Sequence, residues 1–522
     1  LSENGKCFQA ILPENGKCFE TCFHYLCHIM KKTVFLTGAT GVMGAAGLKE
    51  LLARKNRFKI KLLARPSKVN KKKLAYLQND DNVEIIWGDL CNYADVERGV
   101  RGSDYVLHVG GMVSPAADYF PKKTIHVNTT AASNIAKAVL AQPNADDIKV
   151  VYIGTVAQTS DRNEPIHWGR TGDPICISVY DHYAISKTEA EKIIVESGIK
   201  KWVSLRQSGI LHPGLFNNID PIMFHVPLRG VLEWATVEDS GRLLANVCDL
   251  ELPDEFWNRF YNIGSGKQYR LSNYEFECKL LAGINCPPPE KVFNPEWFVL
   301  RNFHGQWYLD SDILENYLHF RMNIPCDEYF KHLSEQVPAY YKLAKFVPAA
   351  LIKAGMKPFA YKKRWGTQDW IKNNDLNRIH AYYGSLEAYK NIAPWDKQDL
   401  SHPSETDIVH IDHGYDESKP LHDLDIEDMK QAAKFRGGEC LSENMIKGDM
   451  ASKLRWKCAE GHEFEASPAL ILLGGHWCPE CTPMPWNYDH IAKKNPFFAQ
   501  VWTPFHKGEN NYYDESIFDG WE

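Results

Sequence analysis

An apolar run, Thr33-Val34-Phe35-Leu36, leads into Thr37-Gly38-Ala39-Thr40-Gly41-Val42-Met43-Gly44, and Ala45 to Arg54 then reads as a helix. This order of strand, glycine-rich turn and helix constrains the chain more than any other feature. Glycines let a backbone approach a pyrophosphate closely, and a helix N-terminus offers unpaired N–H groups and a favourable dipole. The spacing is G-x-x-G-x-x-G, and the strand before it and the helix after it give it meaning. The stretch is therefore expected to open a dinucleotide-binding βα unit.

The pattern of strand and helix repeats beyond this unit. Lys59 to Leu63, Val83 to Ile86 and Tyr105 to Val109 read as further strands, separated by helix-like runs up to about Val156. Such alternation predicts a parallel, doubly wound α/β sheet.

Tyr183 and Lys187 stand four residues apart, a spacing that places both on one helix face. A cation beside a phenol favours phenolate and is expected to lower the tyrosine pKa, so that Tyr183 exchanges a proton with a substrate oxygen near neutral pH. Upstream, Val150 to Ile153 reads as a strand ending at Gly154-Thr155, where a hydroxyl can hydrogen-bond the same oxygen.

In this order the pieces resemble the extended short-chain dehydrogenase/reductase family, of the NAD-dependent epimerase/dehydratase kind. The matching residues are the Gly38 to Gly44 turn, Gly88-Asp89-Leu90, Val106 to Gly111, His126-Val127-Asn128, Thr155, Tyr183 with Lys187, Leu205-Arg206, His212-Pro213-Gly214, Val237-Glu238-Asp239 and Tyr261 to Gly266. The resemblance spans roughly Lys31 to Leu333. It implies a Rossmann-like sheet with a small substrate lobe. Tyr183 would be the general acid/base, Lys187 would tune it and hold the nicotinamide ribose, Thr155 would orient the substrate oxygen, and Asn128 would link the lysine to solvent. It further implies that Gly38, Thr40, Gly41, Val42, Met43 and Gly44 cradle the cofactor, that Asp89 and Leu90 border the adenine, and that Gly110 lies against the dinucleotide. By family layout, Met112, Val113, Ser114, Tyr119, His212 and the surroundings of Arg229 line the substrate pocket.

Arg65 follows the second strand, where relatives that prefer NAD usually carry an acid; a base there accommodates a 2′-phosphate. With Lys68 and Lys71 to Lys73 nearby, NADP is the expected cofactor and NAD the alternative. The leading expectation is an NADP(H)-dependent oxidoreductase acting on a carbonyl or alcohol of a small molecule. Thr155-Val156-Ala157 lacks the carboxylates a dehydratase needs. A nucleotide-sugar epimerase with retained NAD stays open, as does a non-catalytic, dinucleotide-sensing scaffold.

Cys458-Ala-Glu-Gly-His462 and Cys478-Pro-Glu-Cys481 form two ligand pairs near the C-terminus. Four N/S ligands close a tetrahedral zinc shell, so a structural zinc module, similar to zinc-ribbon and treble-clef domains, is expected over 436–522. Cys440 is left as a spare thiol or a replacement for His462. Between 440 and 481 acids outnumber bases, which excludes counterion-driven nucleic-acid binding.

The 522 residues allow about three domains, and the net charge of −6 gives no reason to expect a nucleic-acid partner. No apolar run approaches the ~20 residues that span a membrane. No secretory signal is legible, and the scattered cysteines suit a reducing compartment, so a cytoplasmic location without membrane partner is expected. A homodimer is compatible with the resemblance. Glu-Asn-Gly-Lys-Cys-Phe occurs at both 3–8 and 14–19, and Met30 precedes the first strand. Residues 1–29 therefore read as a non-native or disordered extension, 30–333 as the dinucleotide and substrate domain, and 334–435 as a solvated helical connector with an acidic loop, metal binding by His410, Asp412 and His413 being the alternative.

Overall fold

The computed structural model describes residues 31–217, 219–482 and 485–520; the extension over 1–29 lies outside them. Seven strands form one parallel sheet: β1 Lys32–Thr37, β2 Phe58–Ala64, β3 Val83–Trp87, β4 Tyr105–His108, β5 Lys149–Thr155, β6 Lys201–Gln207 and β7 Arg259–Ile263. Their order is β7-β6-β5-β4-β1-β2-β3. The order reverses between β1 and β4, and the crevice at such a reversal, outside the carboxyl ends of the strands, is where open α/β sheets bind ligands. The fold is the expected Rossmann-like one.

Side-chain alternation explains the layers. In β1, Val34 and Leu36 face one core and Phe35 the other. Both faces are covered, which is why the strands read as continuous apolar runs. Helices α1 (Val42–Ala53), α2 (Lys68–Leu74), α3 (Tyr93–Val100), α4 (Pro121–Leu140), α5 (His182–Val195) and α6 (Val237–Asp249) flank the sheet. Leu48, Leu51, Leu243 and Leu244 bring α1 and α6 onto the Val34 face. Val96, Ile135, Val139 and Ile194 bring α3, α4 and α5 onto the Phe35 face. Asp181 stops the chain before α5 by accepting the Ala184 N–H at 2.8 Å, and Thr236 caps α6 through the Asp239 N–H at 3.0 Å.

The smaller lobe contains α7 (Asn273–Gly283), opened by a capping box of Ser272 and Glu275. Residues 334–435 include α8 (Ala349–Ala360) and α9 (Ile426–Phe435). Leu424, Met429 and Ala432 join the Phe35 core. His413 pairs with Asp173 at 3.0 Å and Glu417 at 2.8 Å, which accounts for its buried imidazole. His410 and Asp412 join no metal-binding group among the described residues.

The C-terminal module has an antiparallel sheet of β8 (Glu439–Cys440), β9 (Leu454–Lys457) and β10 (Glu463–Ala466), with β9 central. Trp456, Leu470 and Ile471 extend the Phe35 core to Ile194, Trp202 and Phe260. The module thus shares its core with the seven-stranded sheet.

Candidate active site and metal centre

The cradle forms where β1 and β4 end. Thr37 Oγ1 accepts the N–H groups of Val109 and Gly110 at 3.0 and 2.9 Å, tying the two strand ends together. Gly38 has φ +76°, and a Cβ there would lie 2.8 Å from the Gly110 backbone. A Cβ on Gly44 would lie 2.2 Å from the Gly38 carbonyl oxygen. Both positions therefore require glycine. Gly41 is the N-cap of α1, no side chain caps the helix, and no acid stands in its first turn. An uncapped helix N-terminus above a bowl of bare backbone fits a pyrophosphate.

Around this bowl, Val42 is exposed, Met43 is buried, and the Thr40 carbonyl accepts Lys73 Nζ at 2.8 Å. Leu90 packs beside Gly110, where an added Cβ would meet it at 2.9 Å. Asp89 is exposed and holds the Cys91 N–H at 2.8 Å. Arg65 stands exposed one residue past β2, with exposed Lys68, Lys71 and Lys72 after it.

Thr155 ends β5, buried, and Tyr183 stands in the first turn of α5. Burial dominates and pushes the Tyr183 phenol up to about 12, against a smaller lowering by the neighbouring Thr155 side chain. The sequence predicts the opposite, a phenol lowered by its neighbouring lysine. The structure differs because burial of the phenol dominates; Lys187 Nζ lies over the Tyr152 ring of β5, 4.3 Å from its centroid. Burial pulls Lys187 down to about 7, against the attraction of Glu191. His108, whose ring centroid lies 5.8 Å from that of Tyr152, is pulled down to about 3 by burial and by Lys187.

Asn128 acts through its neighbours. Its Oδ1 accepts the Met112 N–H at 2.8 Å, and its Nδ2 donates to the Met112 carbonyl at 3.0 Å and to Ser186 Oγ at 2.8 Å. Ser186 Oγ donates to the Tyr183 carbonyl at 2.7 Å. Asn128 thus locks the loop after β4 to the helix that carries Tyr183.

Two features near the site escape the sequence. Asp118, on the loop after β4, is pushed up to about 8 by burial and by Asp181, so it holds a proton at neutral pH. Its only signal is a lone acid in an apolar loop, with nothing local to mark it. The second is a buried network behind α5, one turn beyond Lys187. Glu191 accepts from Arg206 Nε and Nη2 at 3.1 and 2.7 Å, from Ser204 Oγ, from Gln158 Nε2 at 3.0 Å, and contacts His476 Nε2 at 2.9 Å. Burial alone would raise this carboxyl, yet Arg206 and His476 hold it below the usual range.

The family-layout expectations for the pocket separate. Tyr119 donates to Asp220 Oδ2 at 2.6 Å and accepts Lys362 Nζ at 2.7 Å, while Arg229 pairs with Glu164 and Asp399. None of Met112, Val113, Ser114, Tyr119, His212 and Arg229 itself lines the cavity of the small lobe, whereas the surroundings of Arg229 do, through Pro227, Gly230 and Val231.

At the C-terminal cluster, Cys458 follows β9 and His462 precedes β10 across a tight turn. Cys458 Sγ lies 3.5 Å from His462 Nδ1 and 3.8 Å from Cys481 Sγ; His462 Nδ1 lies 3.6 Å from Cys478 Sγ and 3.4 Å from Cys481 Sγ. A tetrahedral zinc with bonds of ~2.3 Å to sulfur and ~2.0 Å to nitrogen has edges of roughly 3.8 and 3.5 Å. The donor set therefore fits that ion. Glu480 stands 3.7 Å from His462 Nε2, where a carboxylate orients a ligating imidazole. Cys440 lies in β8, half-buried, outside the group.

Residues 34–208 match the family model described as the NAD dependent epimerase/dehydratase family. Among curated relatives, the UDP-glucose 4-epimerase of Rickettsia akari (strain Hartford) is 30% identical over 128 residues, which are 24% of this chain and 36% of the relative. That of Rickettsia bellii (strain RML369-C) is 27% identical over 128 residues with the same shares. The matched stretch thus spans 36% of these curated relatives' length. Among solved structures, the dTDP-glucose 4,6-dehydratase of Streptomyces venezuelae with NAD and TYD bound is similar at a TM-score of 0.46 and 18% identity, over 59% of this chain and 96% of that one. The Thermus thermophilus UDP-glucose 4-epimerase in complex with NAD is similar at a TM-score of 0.44 and 18% identity, over 59% and 98%.

Proposed function

We propose, taking the nucleotide-binding part of the chain as a member of the NAD dependent epimerase/dehydratase family, that the protein is an NADP(H)-dependent oxidoreductase acting on a carbonyl or alcohol of a small molecule. One observation carries the reading: Thr155 and Tyr183 stand beside each other at the carboxyl edge of the sheet that also forms the glycine cradle. The dinucleotide, when bound, supplies or accepts the hydride. The chain's own residues handle the proton and the positioning. A phenol pushed up to about 12 is protonated at neutral pH and can donate to a developing alkoxide. Thr155, beside the phenol, orients the substrate oxygen. Lys187, near its midpoint of protonation, is poised to answer a nearby negative charge by becoming cationic. Asn128 holds the loop and helix in register. Arg65 would receive a 2′-phosphate, which favours NADP over NAD.

Cys458, His462, Cys478 and Cys481 would hold one structural zinc, whose closed shell leaves no catalytic position. The ion would fix the module that supports α5 from behind.

Epimerase chemistry is the second reading, favoured by the curated relatives, which carry that name. Epimerases keep NAD through the reaction. Oxidation of NADPH across a panel of carbonyl compounds tests the first reading, with nicotinamide fluorescence of the freshly purified protein as its companion. Turnover with exchangeable NADPH is expected. Tightly retained NAD with no net oxidation of added cofactor would transfer the assignment to the epimerase.

A further inference from the structure

The small lobe encloses a cavity of about 450 Å³, within the ~300–1,000 Å³ range of ligand sites. Its body is apolar, built from side chains such as Phe216, Leu232, Trp234, Leu280, Ile284 and Met356. One end is polar. Arg162 is fully buried; its Nη2 holds Asp173 at 2.9 Å, while Nε and Nη1 have no hydrogen-bond partner among the described residues. Asn163 Oδ1 is also unpartnered. His304, on the same wall, lies 3.3 Å from Asp181, the cap of the helix that carries Tyr183. Gly209, also in the wall, stands two residues past Gln207, which pairs with Thr155. A single buried carboxyl, Glu277, interrupts the apolar part and leaves Oε2 unpartnered. Buried donors and acceptors are normally satisfied, so this group of unpaired ones behind the wall marks the polar end of the cavity.

We propose that this cavity is the binding chamber for a lipid-class alcohol or carbonyl compound, its apolar body among Trp234, Leu280 and Met356 and its oxygen toward His304. This rests on the proposed redox reading for the reaction, though not for binding. A nucleotide sugar suits the chamber poorly, because a diphosphate and several hydroxyls would be left facing hydrocarbon. The test is equilibrium binding of progesterone, palmitaldehyde and UDP-glucose, read by tryptophan fluorescence, with NADPH binding as the folding control. At least one apolar probe should bind, and Leu280→Trp, which fills the chamber, should weaken it more than 10-fold while leaving NADPH affinity intact. If Leu280→Trp loses NADPH binding, Ala344→Leu on another part of the wall replaces it. Binding of UDP-glucose alone, or apolar binding indifferent to the filling variant that folds, overturns the proposal. Apolar binding without any turnover would instead remove the redox reading and leave the chamber standing.

A separate observation concerns the outer side of this chamber. From Ala339 to Arg364 the chain carries seven cations and no acid, in a protein of net charge −6. Tyr341, Ala344, Val347, Ile352 and Met356 line the cavity, whereas Tyr340, Leu343, Phe346 and Leu351 are 64%, 55%, 72% and 63% exposed. Large exposed apolar side chains interleaved with lysines are the composition of a segment that lies in a membrane interface. Among the described residues no helix is long and apolar enough to cross a membrane, so the contact is peripheral. We infer that 339–364 docks on an anionic phospholipid surface, the charge complement of its lysines. In a flotation assay, the full chain should bind phosphatidylcholine vesicles containing phosphatidylserine and not phosphatidylcholine alone, and lose binding at high salt and in Leu343→Asp/Phe346→Asp. No binding, binding indifferent to phosphatidylserine, or a concentration-dependent dimer abolished by the same substitutions would each overturn it, the last in favour of a second copy of the chain.

Discussion

Replacing Glu191 should reveal how strongly the C-terminal module and helix α5, which carries Tyr183, depend on each other. Glu191 is fully buried on α5, four residues beyond Lys187, and serves donors from β6, from the segment after β5 and, through His476, from the segment two residues before Cys478. Arg206 also donates to the Gly474 carbonyl at 2.7 Å, so it bridges the same junction. Glu191→Ala would leave the buried Arg206 guanidinium without its counter-ion. Breaking a buried pair on one side costs about 3–5 kcal/mol, mostly from the uncompensated charge. Urea denaturation of wild type, Glu191→Ala, Arg206→Met and the double variant Glu191→Ala/Arg206→Met measures it. Each single change should fall in that range, and the double variant should cost clearly less than their sum, because no lone charge remains. A cost below about 1 kcal/mol for Glu191→Ala, or strict additivity in the cycle, would refute the view that this network joins the two parts.

Other perturbations probe the remaining parts. Arg65→Asp should weaken NADPH binding and improve the NADH/NADPH ratio, since it removes a partner for a 2′-phosphate and adds a repelling charge; fluorescence titration with both cofactors decides it, and an unchanged ratio removes Arg65 as selector. Elemental analysis should find about one zinc per chain, and Cys478→Ser or a chelator should increase protease cleavage beyond Phe435 and, through the shared core, lower the stability of the whole protein; a chelator-insensitive, zinc-free C-terminus would withdraw the metal assignment. Burial pushes Glu277 up to about 7. Its folded pKa lies above its unfolded one, so its contribution to stability is complete below the unfolded value and is lost as pH rises through about 7. Glu277→Gln should therefore gain stability relative to wild type between pH 5 and 8, by up to ~3 kcal/mol from linkage; a pH-independent difference in denaturation would contradict it.

The parts legible in the sequence are those encoded locally. Gly38 and Gly44 are spaced by the geometry of a single βα turn, and Tyr183 and Lys187 by one helical turn. Cys458, His462, Cys478 and Cys481 come together through a tight turn and a short loop, so ligand spacing alone points to them. The rest depends on long-range contacts that no local pattern records. His476 meets Glu191 across 285 positions, and that contact turns an apparent appendage into a support for α5. Spacing gives the wrong direction for the Tyr183 pKa because it places Lys187 on the same helix face but cannot say that the phenol is buried, or that Lys187 Nζ lies over the Tyr152 ring of β5. The chamber is invisible for the same reason: Arg162, Glu277 and Ile352 come from three distant segments.

The central claim is that a dinucleotide sits in the Gly38–Gly44 cradle and that Tyr183 moves the substrate proton. NADPH binding and NADPH oxidation, measured side by side on wild type and Tyr183→Phe with a carbonyl substrate found in the panel, test it most directly. Both proteins should bind NADPH within a few-fold of each other, and turnover should fall by roughly 100-fold or more in the variant, the scale of a lost general acid. Failure of wild type to bind either NADPH or NADH, or a Tyr183→Phe protein that turns over at the wild-type rate, would contradict it.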